Sequence, residues 1–332
     1  MSRSTLRARI AGTGRATPDK VLTNDDLAKM VATSDEWIRQ MTGIGERRIL
    51  EEGRSTSDLA SLAGKRACET AEISPADIDC IIVATISPDM PMPAVAVTVQ
   101  QKLGITGQCP SFDISAACAG FIYGMSIADS FIKSRQFKRV LVIGVEILSR
   151  VVDWTDRNTC VLFGDGAGAA VLVPHEGEDR GILSTHIYAD GTGMPFLNIP
   201  GGGSMEPTSA KTVEAKRHFV KMQGKPVFTH AVKNISAAAE AALAANGKTA
   251  ADVDMVVAHQ ANIRILQGVA ERCGLPLDKF YLNIHKYGNT SSASIPIALD
   301  EAAREGKVKP GDLLLMAALG AGLSWGSALV RF

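Results

Sequence analysis

A cysteine lies among small residues in the stretch DISAACAGFIYG, which runs from Asp113 to Gly124. A β-like run gives way to a helix-like run here, which places Cys118 at a predicted strand-to-helix turn. A free cysteine is ordinarily a small buried apolar residue, but a thiol at the start of a helix meets free N–H groups and partial positive charge. These features lower a thiol pKa from its usual value of about 8.5, and the thiolate is the reactive form. We therefore expect Cys118 to be a nucleophile with a lowered pKa.

Two further polar residues follow the ends of apolar runs. His259 in VVAHQAN comes directly after a buried-strand pattern, and Asn289 in YGNTSSAS lies in a loop before a helix-like run. Alone, each is typical of a core histidine or of an asparagine in a turn. An imidazole and an amide are also the donors that hold a developing negative charge on oxygen.

An internal repeat connects these residues. PADIDCIIVATIS begins at Pro75 and AADVDMVVAHQAN begins at Ala250, 175 positions later, and each follows an alanine-rich helical pattern. This period is too long for a solenoid and indicates a duplicated domain. The loop after FDIS carries Cys118, and its counterpart after YLNI carries Asn289. Equivalent strand ends should meet at one cleft, so we expect these two residues and His259 to lie together.

Helix and strand patterns alternate in both halves, and these elements must position Cys118, His259 and Asn289. The alternation predicts α/β layers with mainly parallel sheets. We divide the chain into an N-terminal half at residues 1–183 and a C-terminal half at residues 223–332. Residues 184–222 are rich in Gly, Pro, Ser and Met with little periodicity. They predict a loop-rich insertion that lines a substrate tunnel.

The composition excludes several classes of protein. Lys and Arg balance Asp and Glu at 35 each, so no bulk charge indicates nucleic acid or an anionic membrane as a partner. No apolar run approaches the ~18 residues of a membrane span, and the N-terminus lacks the apolar core of a signal peptide. The cysteines show no CxxC spacing, so we expect no metal site and a reduced, cytoplasmic protein.

Five motifs occur in order along the chain: TSDEWI, DISAACAGF, FGDGAGAA, HQANIRI and YGNTSSASIP. With them the sequence resembles the β-ketoacyl-acyl-carrier-protein synthase III family of the thiolase superfamily over essentially its whole length. The resemblance implies a five-layered αβαβα fold of two similar halves, assembled as a homodimer.

The resemblance also implies a reaction. Cys118, His259 and Asn289 match the family's catalytic triad, and the N–H groups of Cys118 and Ala321 match its oxyanion hole. Cys118 would take an acyl primer from acyl-CoA, which is a substrate, with no cofactor. Decarboxylation of malonyl-acyl carrier protein would give an enolate held by His259 and Asn289, and its attack would yield β-ketoacyl-acyl carrier protein, CoA and carbon dioxide.

Further contacts are implied by position alone. Trp37 and Arg157 match residues on either side of the CoA adenine, and Asn262 matches a pantetheine contact. Met92 matches the residue that the partner subunit inserts at the end of the acyl tunnel, near Leu319. The residues that match or extend a docking patch for the acidic carrier protein are Gln260, Arg264, Lys225 and Arg272.

Three departures from the common bacterial pattern concern binding. Met41 stands where relatives often have an arginine near the nucleotide, and Leu319 and Leu323 replace aromatic residues in LGAGLSWG. A flexible methionine at position 92 would admit a longer or branched primer. The sequence leaves the primer open among acetyl, branched and medium-chain groups.

Other functions compete with this one. The same triad serves synthase III-like acyltransferases of secondary metabolism, which use another primer or acceptor. A cysteine hydrolase with a dyad of Cys118 and His259 is a second alternative, but it leaves Asn289 and the duplication unexplained. A non-catalytic scaffold is a third, which the presence of all three residues disfavours.

Overall fold

Thirteen β-strands and eleven α-helices alternate along residues 6–332, the part of the chain that the computed structural model describes. The strands are β1 (Leu6–Ala16), β2 (Val21–Thr23), β3 (Glu46–Arg48), β4 (Cys80–Ala84), β5 (Ser111–Ile114), β6 (Val140–Ile147), β7 (Asp165–Glu176), β8 (Gly181–Ala189), β9 (Leu197–Asn198), β10 (Lys221–Met222), β11 (Met255–Ala258), β12 (Leu313–Gly320) and β13 (Ser324–Arg331). The helices are α1 (Asn24–Ala28), α2 (Asp35–Thr42), α3 (Thr56–Ala71), α4 (Val95–Lys102), α5 (Gly120–Lys133), α6 (Arg157–Cys160), α7 (Ala210–Glu214), α8 (Gly224–Ala245), α9 (Ile263–Cys273), α10 (Ile284–Tyr287) and α11 (Ser294–Arg304).

Two larger β-sheets carry the fold. The first has the order β1-β7-β6-β4-β5, and the second has the order β11-β12-β13-β8. The pairs β4–β5, β4–β6 and β11–β12 are parallel, whereas β1–β7, β6–β7, β12–β13 and β13–β8 are antiparallel. The expectation of mainly parallel sheets is therefore wrong. The short turn between β12 and β13 permits only an antiparallel pair, since a parallel pair needs a long crossover.

Five layers result from the packing of helices on these sheets. Helices α5 and α11 lie between the two sheets and contact strands of both, while α3 and α4 cover the outer face of the first sheet. Helix α8 covers the outer face of the second sheet and packs against α9. One buried apolar cluster spans the central layer and joins the sheets, with Ile82 and Phe121 from one half and Leu299 and Met316 from the other. The predicted αβαβα fold is confirmed.

The boundary between residues 183 and 184 falls inside a strand. β8 pairs antiparallel with β13 along most of its length, so residues 184–189 belong to the second sheet and not to a loop. The prediction misses this strand because STHIYA mixes polar and apolar residues along one half-exposed edge. The rest of the insertion contains only short elements, namely β9, β10, α7 and a 3-10 helix at Gly191–Phe196.

The duplication is less regular than the sequence repeat indicates. FDIS forms β5 beside β4, but the matching YLNI forms no strand, and only an isolated bridge joins Phe280 to Val256 of β11. Along residues 6–332, each helix is too short or too polar to cross a lipid bilayer.

Candidate active site

Cys118 lies at the strand-to-helix turn that the sequence predicts. β5 ends at Ile114, a 3-10 turn covers Ala117–Ala119, and α5 begins at Gly120. The end of β12 approaches this turn so closely that a Cβ atom on Gly320 would lie 2.5 Å from the Cys118 backbone nitrogen. Only glycine fits there, and the contact brings the second half against the nucleophile candidate.

His259 follows the last residue of β11 directly. Its backbone N–H donates to the carbonyl of Ala317 in β12 over 2.9 Å, which extends the parallel ladder by one bond. The ring is 2% exposed, and its Nδ1 has no hydrogen-bond partner in the described part of the chain. Burial lowers the pKa of His259 to about 3, so that the imidazole is neutral near pH 7.

Asn289 is fixed in a turn between α10 and α11. Its backbone N–H donates to the carbonyl of Leu162 over 2.8 Å, and its carbonyl accepts from the N–H of Gly164 over 3.0 Å. The side-chain oxygen accepts from the N–H of Ser291 over 2.8 Å. The amide nitrogen Nδ2, which no residue between 6 and 332 holds, is therefore free to donate to a ligand.

The structure brings the three residues to one cavity of about 710 Å³. Cys118 comes from the first half, and His259 and Asn289 come from the second half. A thiol, a neutral imidazole and an amide around one cavity provide one nucleophile and two hydrogen-bond donors. This arrangement suits acyl transfer to sulfur followed by stabilisation of a negatively charged oxygen.

The expected lowering of the Cys118 pKa is wrong. Burial raises the pKa of the thiol to about 12, and the negative charge of Glu146 adds to the rise. Hydrogen bonding from the Ser291 hydroxyl opposes the rise without cancelling it. The cause is the enclosure of the sulfur. Loss of water disfavours the thiolate by more than the adjacent helix start favours it. In the free protein, Cys118 is therefore a thiol beside a neutral His259.

A second cavity, of about 230 Å³ and almost entirely apolar, meets the first at Cys118. Ala321 lines it on the side of the close approach by Gly320. Its other lining residues are Ile86, Ala117, Leu148, Phe163, Leu197, Asn198, Ile199, Val220 and Ser291. Cys118 thus lies between a wide cavity with polar groups and a narrow apolar one.

Trp37 lines the large cavity, and Arg157 packs against its ring. The guanidinium carbon of Arg157 is 4.0 Å from the centroid of the Trp37 ring, so the two side chains stack on each other. For a planar ring to lie between them, the indole and the guanidinium must be about 7 Å apart, which is two van der Waals separations. The sandwich implied by the resemblance therefore requires Arg157 to move away from the indole.

Asn262, Lys225 and Arg264 also line the large cavity. Asn262 caps α9, because its Oδ1 accepts from the N–H of Arg264 over 2.8 Å and its Nδ2 donates to the carbonyl of Met41 over 3.1 Å. The Arg264 guanidinium lies 3.9 Å from the Met41 sulfur and 5.9 Å from the centroid of the Phe228 ring. The exposed end of this cavity, where Lys225 and Arg264 lie, is its entrance, and it combines cations with apolar surface.

Other predicted contacts lie elsewhere. Gln260 as a carrier contact is wrong, because its side chain is buried and bonds the backbones of Ala258, Tyr281 and Asn283. Arg272 lies in the last turn of α9 and does not line the cavity.

The structure places the two acyl-tunnel candidates, Met92 and Leu319, in different environments. Met92 is 81% exposed and lines neither cavity near Cys118. Leu319 lines the large cavity, and Leu323 is buried beside Gly193.

The sequence prediction missed Ser291 and Glu146. Ser291 lines the apolar cavity with Cys118, and Glu146 is a fully buried carboxylate on β6 behind it. A glutamate inside the apolar strand VLVIGVEI is a signal that was available, since a carboxylate is rarely fully buried. Residues 6–332 contain no group of three or more His, Cys, Asp or Glu arranged to hold a metal ion.

Comparisons with known proteins are consistent across the chain. The family of 3-oxoacyl-[acyl-carrier-protein (ACP)] synthase III matches residues 112–191, and its C-terminal family matches residues 243–332. The chain is 51% identical over 327 residues to the β-ketoacyl-[acyl-carrier-protein] synthase III of Caldanaerobacter subterraneus subsp. tengcongensis, covering 98% of each chain.

Solved structures agree with these matches. The 3-oxoacyl-[acyl-carrier-protein] synthase III of Aquifex aeolicus VF5 has a TM-score of 0.90 at 47% identity, covering 98% of this chain and 100% of that chain. The priming β-ketosynthase of the R1128 polyketide biosynthetic pathway has a TM-score of 0.90 at 36% identity, covering 97% of this chain and 96% of that chain.

The neutrality of His259 can be measured directly. Because burial lowers its pKa to about 3, we expect its ring resonances to stay unchanged between pH 5 and 8. Nitrogen-detected NMR of labelled imidazoles gives the titration, and the His259→Ala spectrum assigns the signal. In the unfolded chain the His259 imidazole takes up a proton as the pH falls below about 6.5, whereas in the folded chain it stays neutral. His259 therefore makes the fold less stable as the pH falls below that value. A His259 signal that titrates near pH 6.5 would contradict the assignment.

Proposed function

Because this chain belongs to the β-ketoacyl-acyl-carrier-protein synthase III family, we propose that Cys118, His259 and Asn289 carry out its two half-reactions. The enzyme is an acyltransferase that condenses an acyl primer with malonyl-acyl carrier protein and so initiates fatty acid synthesis. The observation that supports this assignment of roles is that side chains from both halves line one cavity.

In the first half-reaction, the Cys118 sulfur attacks the thioester carbonyl of acyl-CoA. The bond between the carbonyl carbon and the CoA sulfur breaks, the proton lost by the Cys118 thiol is balanced by the proton that the departing CoA sulfur takes up, and the acyl group remains on Cys118. Negative charge develops on the carbonyl oxygen, and the N–H groups of Cys118 and Ala321 are its proposed donors. The close contact between Gly320 and Cys118 supports this pairing, since it brings both backbone segments to the sulfur.

In the second half-reaction, malonyl-acyl carrier protein loses carbon dioxide, and the electron pair moves onto the thioester oxygen as an enolate. His259 and Asn289 donate hydrogen bonds to that oxygen. A neutral imidazole has one N–H, and because Nδ1 of His259 is buried without a partner among residues 6–332, the proton is best carried by Nε2. The enolate carbon then attacks acyl-Cys118, and the Cys118 sulfur leaves. Decarboxylation supplies the carbanion, so we propose that no cofactor takes part.

The apolar cavity is the proposed site of the primer chain. Its lining offers almost no polar surface, so it favours a hydrocarbon chain over a charged or hydroxylated one. The polar entrance of the large cavity is the proposed site of CoA and of the phosphopantetheine arm, with Trp37, Arg157 and Asn262 as contacts. Arg264 and Lys225 are the proposed docking cations for the acidic carrier protein.

A secondary-metabolic role for the same triad is not favoured. Identity to the Aquifex aeolicus synthase III is 47%, against 36% to the polyketide priming enzyme.

We expect Cys118→Ala to abolish formation of the acyl-enzyme without unfolding the protein, because a small side chain replaces a small one. Intact-mass spectrometry after incubation with acyl-CoA measures the adduct. The matched control is Cys160→Ala, which also changes a buried thiol but one that lines neither cavity at the site. A folded Cys118→Ala protein that still acquires the acyl mass would exclude Cys118 as nucleophile. Continued release of free acid by the unchanged enzyme would instead support the hydrolase.

We expect Arg264→Glu to slow association with malonyl-acyl carrier protein by about tenfold or more at low salt, and to reduce the salt dependence. Acylation by acyl-CoA should change much less. Stopped-flow binding at several salt concentrations measures the effect. Arg272→Glu is the matched control, since it reverses a charge on the same helix away from the entrance. Equal effects of the two variants would place the docking surface elsewhere.

The first sheet offers a surface for a homodimer. β5 is its edge strand, and an edge with unpaired N–H and C=O groups pairs readily with another strand. The exposed Met92 lies between β4 and α4, the helix that packs on β5, so a second copy can receive it. We expect sedimentation equilibrium to give twice the mass of the chain, and the mass of one chain would contradict the dimer.

All six cysteines are free, which supports a reducing cytoplasm as the compartment, and cell fractionation tests it.

A further inference from the structure

Gln260 is a buried amide next to a proposed enolate donor, and the two half-reactions give it no role. It follows His259 directly and is 2% exposed. A buried amide is costly unless its donors and its acceptor find partners. Those partners therefore bear on the geometry around His259.

The amide of Gln260 joins two segments of the chain. Nε2 donates to the carbonyl of Ala258, the last residue of β11, over 2.9 Å and to the carbonyl of Tyr281 over 3.1 Å. Oε1 accepts from the backbone N–H of Asn283 over 3.2 Å. The amide therefore lies between the end of β11 and residues 281–283.

These hydrogen bonds reproduce the pairing of two parallel strands. In a parallel ladder, a residue donates to the carbonyl of the residue before its partner and accepts from the N–H of the residue after it. The Gln260 side chain does both around Leu282. One backbone bridge joins the two segments, between Val256 and Phe280. The next pair in this register would be Ala258 with Leu282, and the amide of Gln260 occupies that place.

The two segments that the amide joins carry the two proposed enolate donors. β11 continues into His259, whose N–H donates to the carbonyl of Ala317 on β12. Residues 281–283 continue into α10 and then into the turn that holds Asn289. The separation of His259 from Asn289 thus depends on how far apart these two segments lie.

The segment on the Asn289 side is held firmly by its own contacts. Nδ2 of Asn283 donates to Oε2 of Glu301 on α11 over 2.8 Å. Oε1 of Glu301 accepts from Nζ of Lys286 over 3.0 Å and from the hydroxyl of Tyr287 over 3.2 Å, and both of these residues belong to α10. The amide of Gln260 joins this fixed unit to β11 next to His259.

We propose that Gln260 is a positioning residue that sets the separation of His259 and Asn289. The planar amide fixes the spacing between the end of β11 and residues 281–283, so that both donors reach one enolate oxygen. Acylation of Cys118 uses neither donor. The inference rests on the proposed roles of His259 and Asn289, and it requires that loss of the amide impair decarboxylation and spare acylation.

A purely structural role of Gln260 predicts a different result. The amide pairs with three backbone groups inside the core, so its removal lowers stability in either case. Loss of stability alone leaves both half-reactions of the folded protein unchanged, or slows both by the same factor. The ratio of the decarboxylation rate to the acylation rate therefore distinguishes positioning from stability.

The experiment measures both half-reactions in Gln260→Met, whose side chain has a similar length and no amide. Intact-mass spectrometry gives the rate of acylation of Cys118 by acyl-CoA. Release of carbon dioxide from malonyl-acyl carrier protein by the acylated enzyme gives the rate of decarboxylation. We expect acylation to stay near that of the unchanged enzyme and decarboxylation to fall about a hundredfold, the effect of a misplacement of about 1 Å. Circular dichroism establishes that the variant is folded.

Gln260→Glu adds a pH profile to this test. Its neutral carboxyl has an O–H donor for Tyr281 and a carbonyl acceptor for Asn283, whereas its carboxylate has no donor and faces two carbonyls. Burial raises the pKa of such a carboxyl. The ratio of decarboxylation to acylation in Gln260→Glu should therefore recover as the pH is lowered from about 8 to about 6, relative to the unchanged enzyme.

The ionisable groups around position 260 keep their charge over this range. His259 stays neutral because burial lowers its pKa to about 3, and burial raises the pKa of Tyr281, which stays neutral as well. Glu301 is bonded to Asn283 and forms an ion pair with Lys286, and these contacts hold its pKa below the usual value. A recovery at low pH would thus belong to the introduced carboxyl.

The matched control is Ser327→Ala, which removes a fully buried hydroxyl that donates to the carbonyl of Ala238 over 2.6 Å. Ser327 lines neither cavity at the site, so this variant should keep the ratio of the two rates. An unchanged ratio in folded Gln260→Met would overturn the positioning role. If Gln260→Met does not fold, absence of recovery at low pH in Gln260→Glu would overturn it. Failure of the unchanged enzyme to form acyl-Cys118 or to release carbon dioxide would overturn the proposed function itself.

Discussion

The site depends on contact of backbone with backbone where the two halves of the chain meet. Gly144 of β6 allows the turn Ser291–Ala293 to lie directly against the first sheet, and Gly320 of β12 allows the second sheet to reach Cys118. A side chain at either position would separate the halves by the width of at least one methyl group. Donors and nucleophile would then no longer share a cavity, since catalytic geometry tolerates errors well below 1 Å.

The same close contact determines the ionisation of the site. By excluding water it raises the pKa of Cys118 and of Glu146 and lowers that of His259, so that each group is shifted towards its neutral form. A thiolate–imidazolium pair is thus not the resting state. Activation of the thiol must coincide with the binding of a thioester, and a neutral His259 remains suited to donate to an enolate.

Much of this arrangement could be predicted from the sequence. The repeat predicts two similar α/β halves, and the family resemblance carried by the motifs implies the five layers. The repeat also predicts that Cys118, His259 and Asn289 share a cavity. The pKa of Cys118 was mispredicted because burial, a tertiary effect, exceeds the influence of the local helix start. Gln260 was mispredicted because a polar residue next to a catalytic candidate appears exposed in sequence, whereas here its amide bonds backbone groups of the core. Strand β8 was missed because its polar residues lie on the half-exposed edge of a sheet, where alternation is weak.

An enclosed, nearly neutral site suits both half-reactions for different reasons. In the first, the attacked thioester is neutral and only a small number of donors is needed at its oxygen. In the second, a carboxylate with localised charge becomes carbon dioxide and an enolate whose charge is delocalised. A poorly solvated cavity disfavours the localised charge more than the delocalised one, so the environment assists loss of carbon dioxide in addition to the donors we propose, His259 and Asn289. A permanent thiolate beside them would repel the incoming malonyl group. In the mechanism we propose, Cys118 is protonated until a primer arrives and acylated afterwards, which removes that repulsion at the step where it would slow decarboxylation.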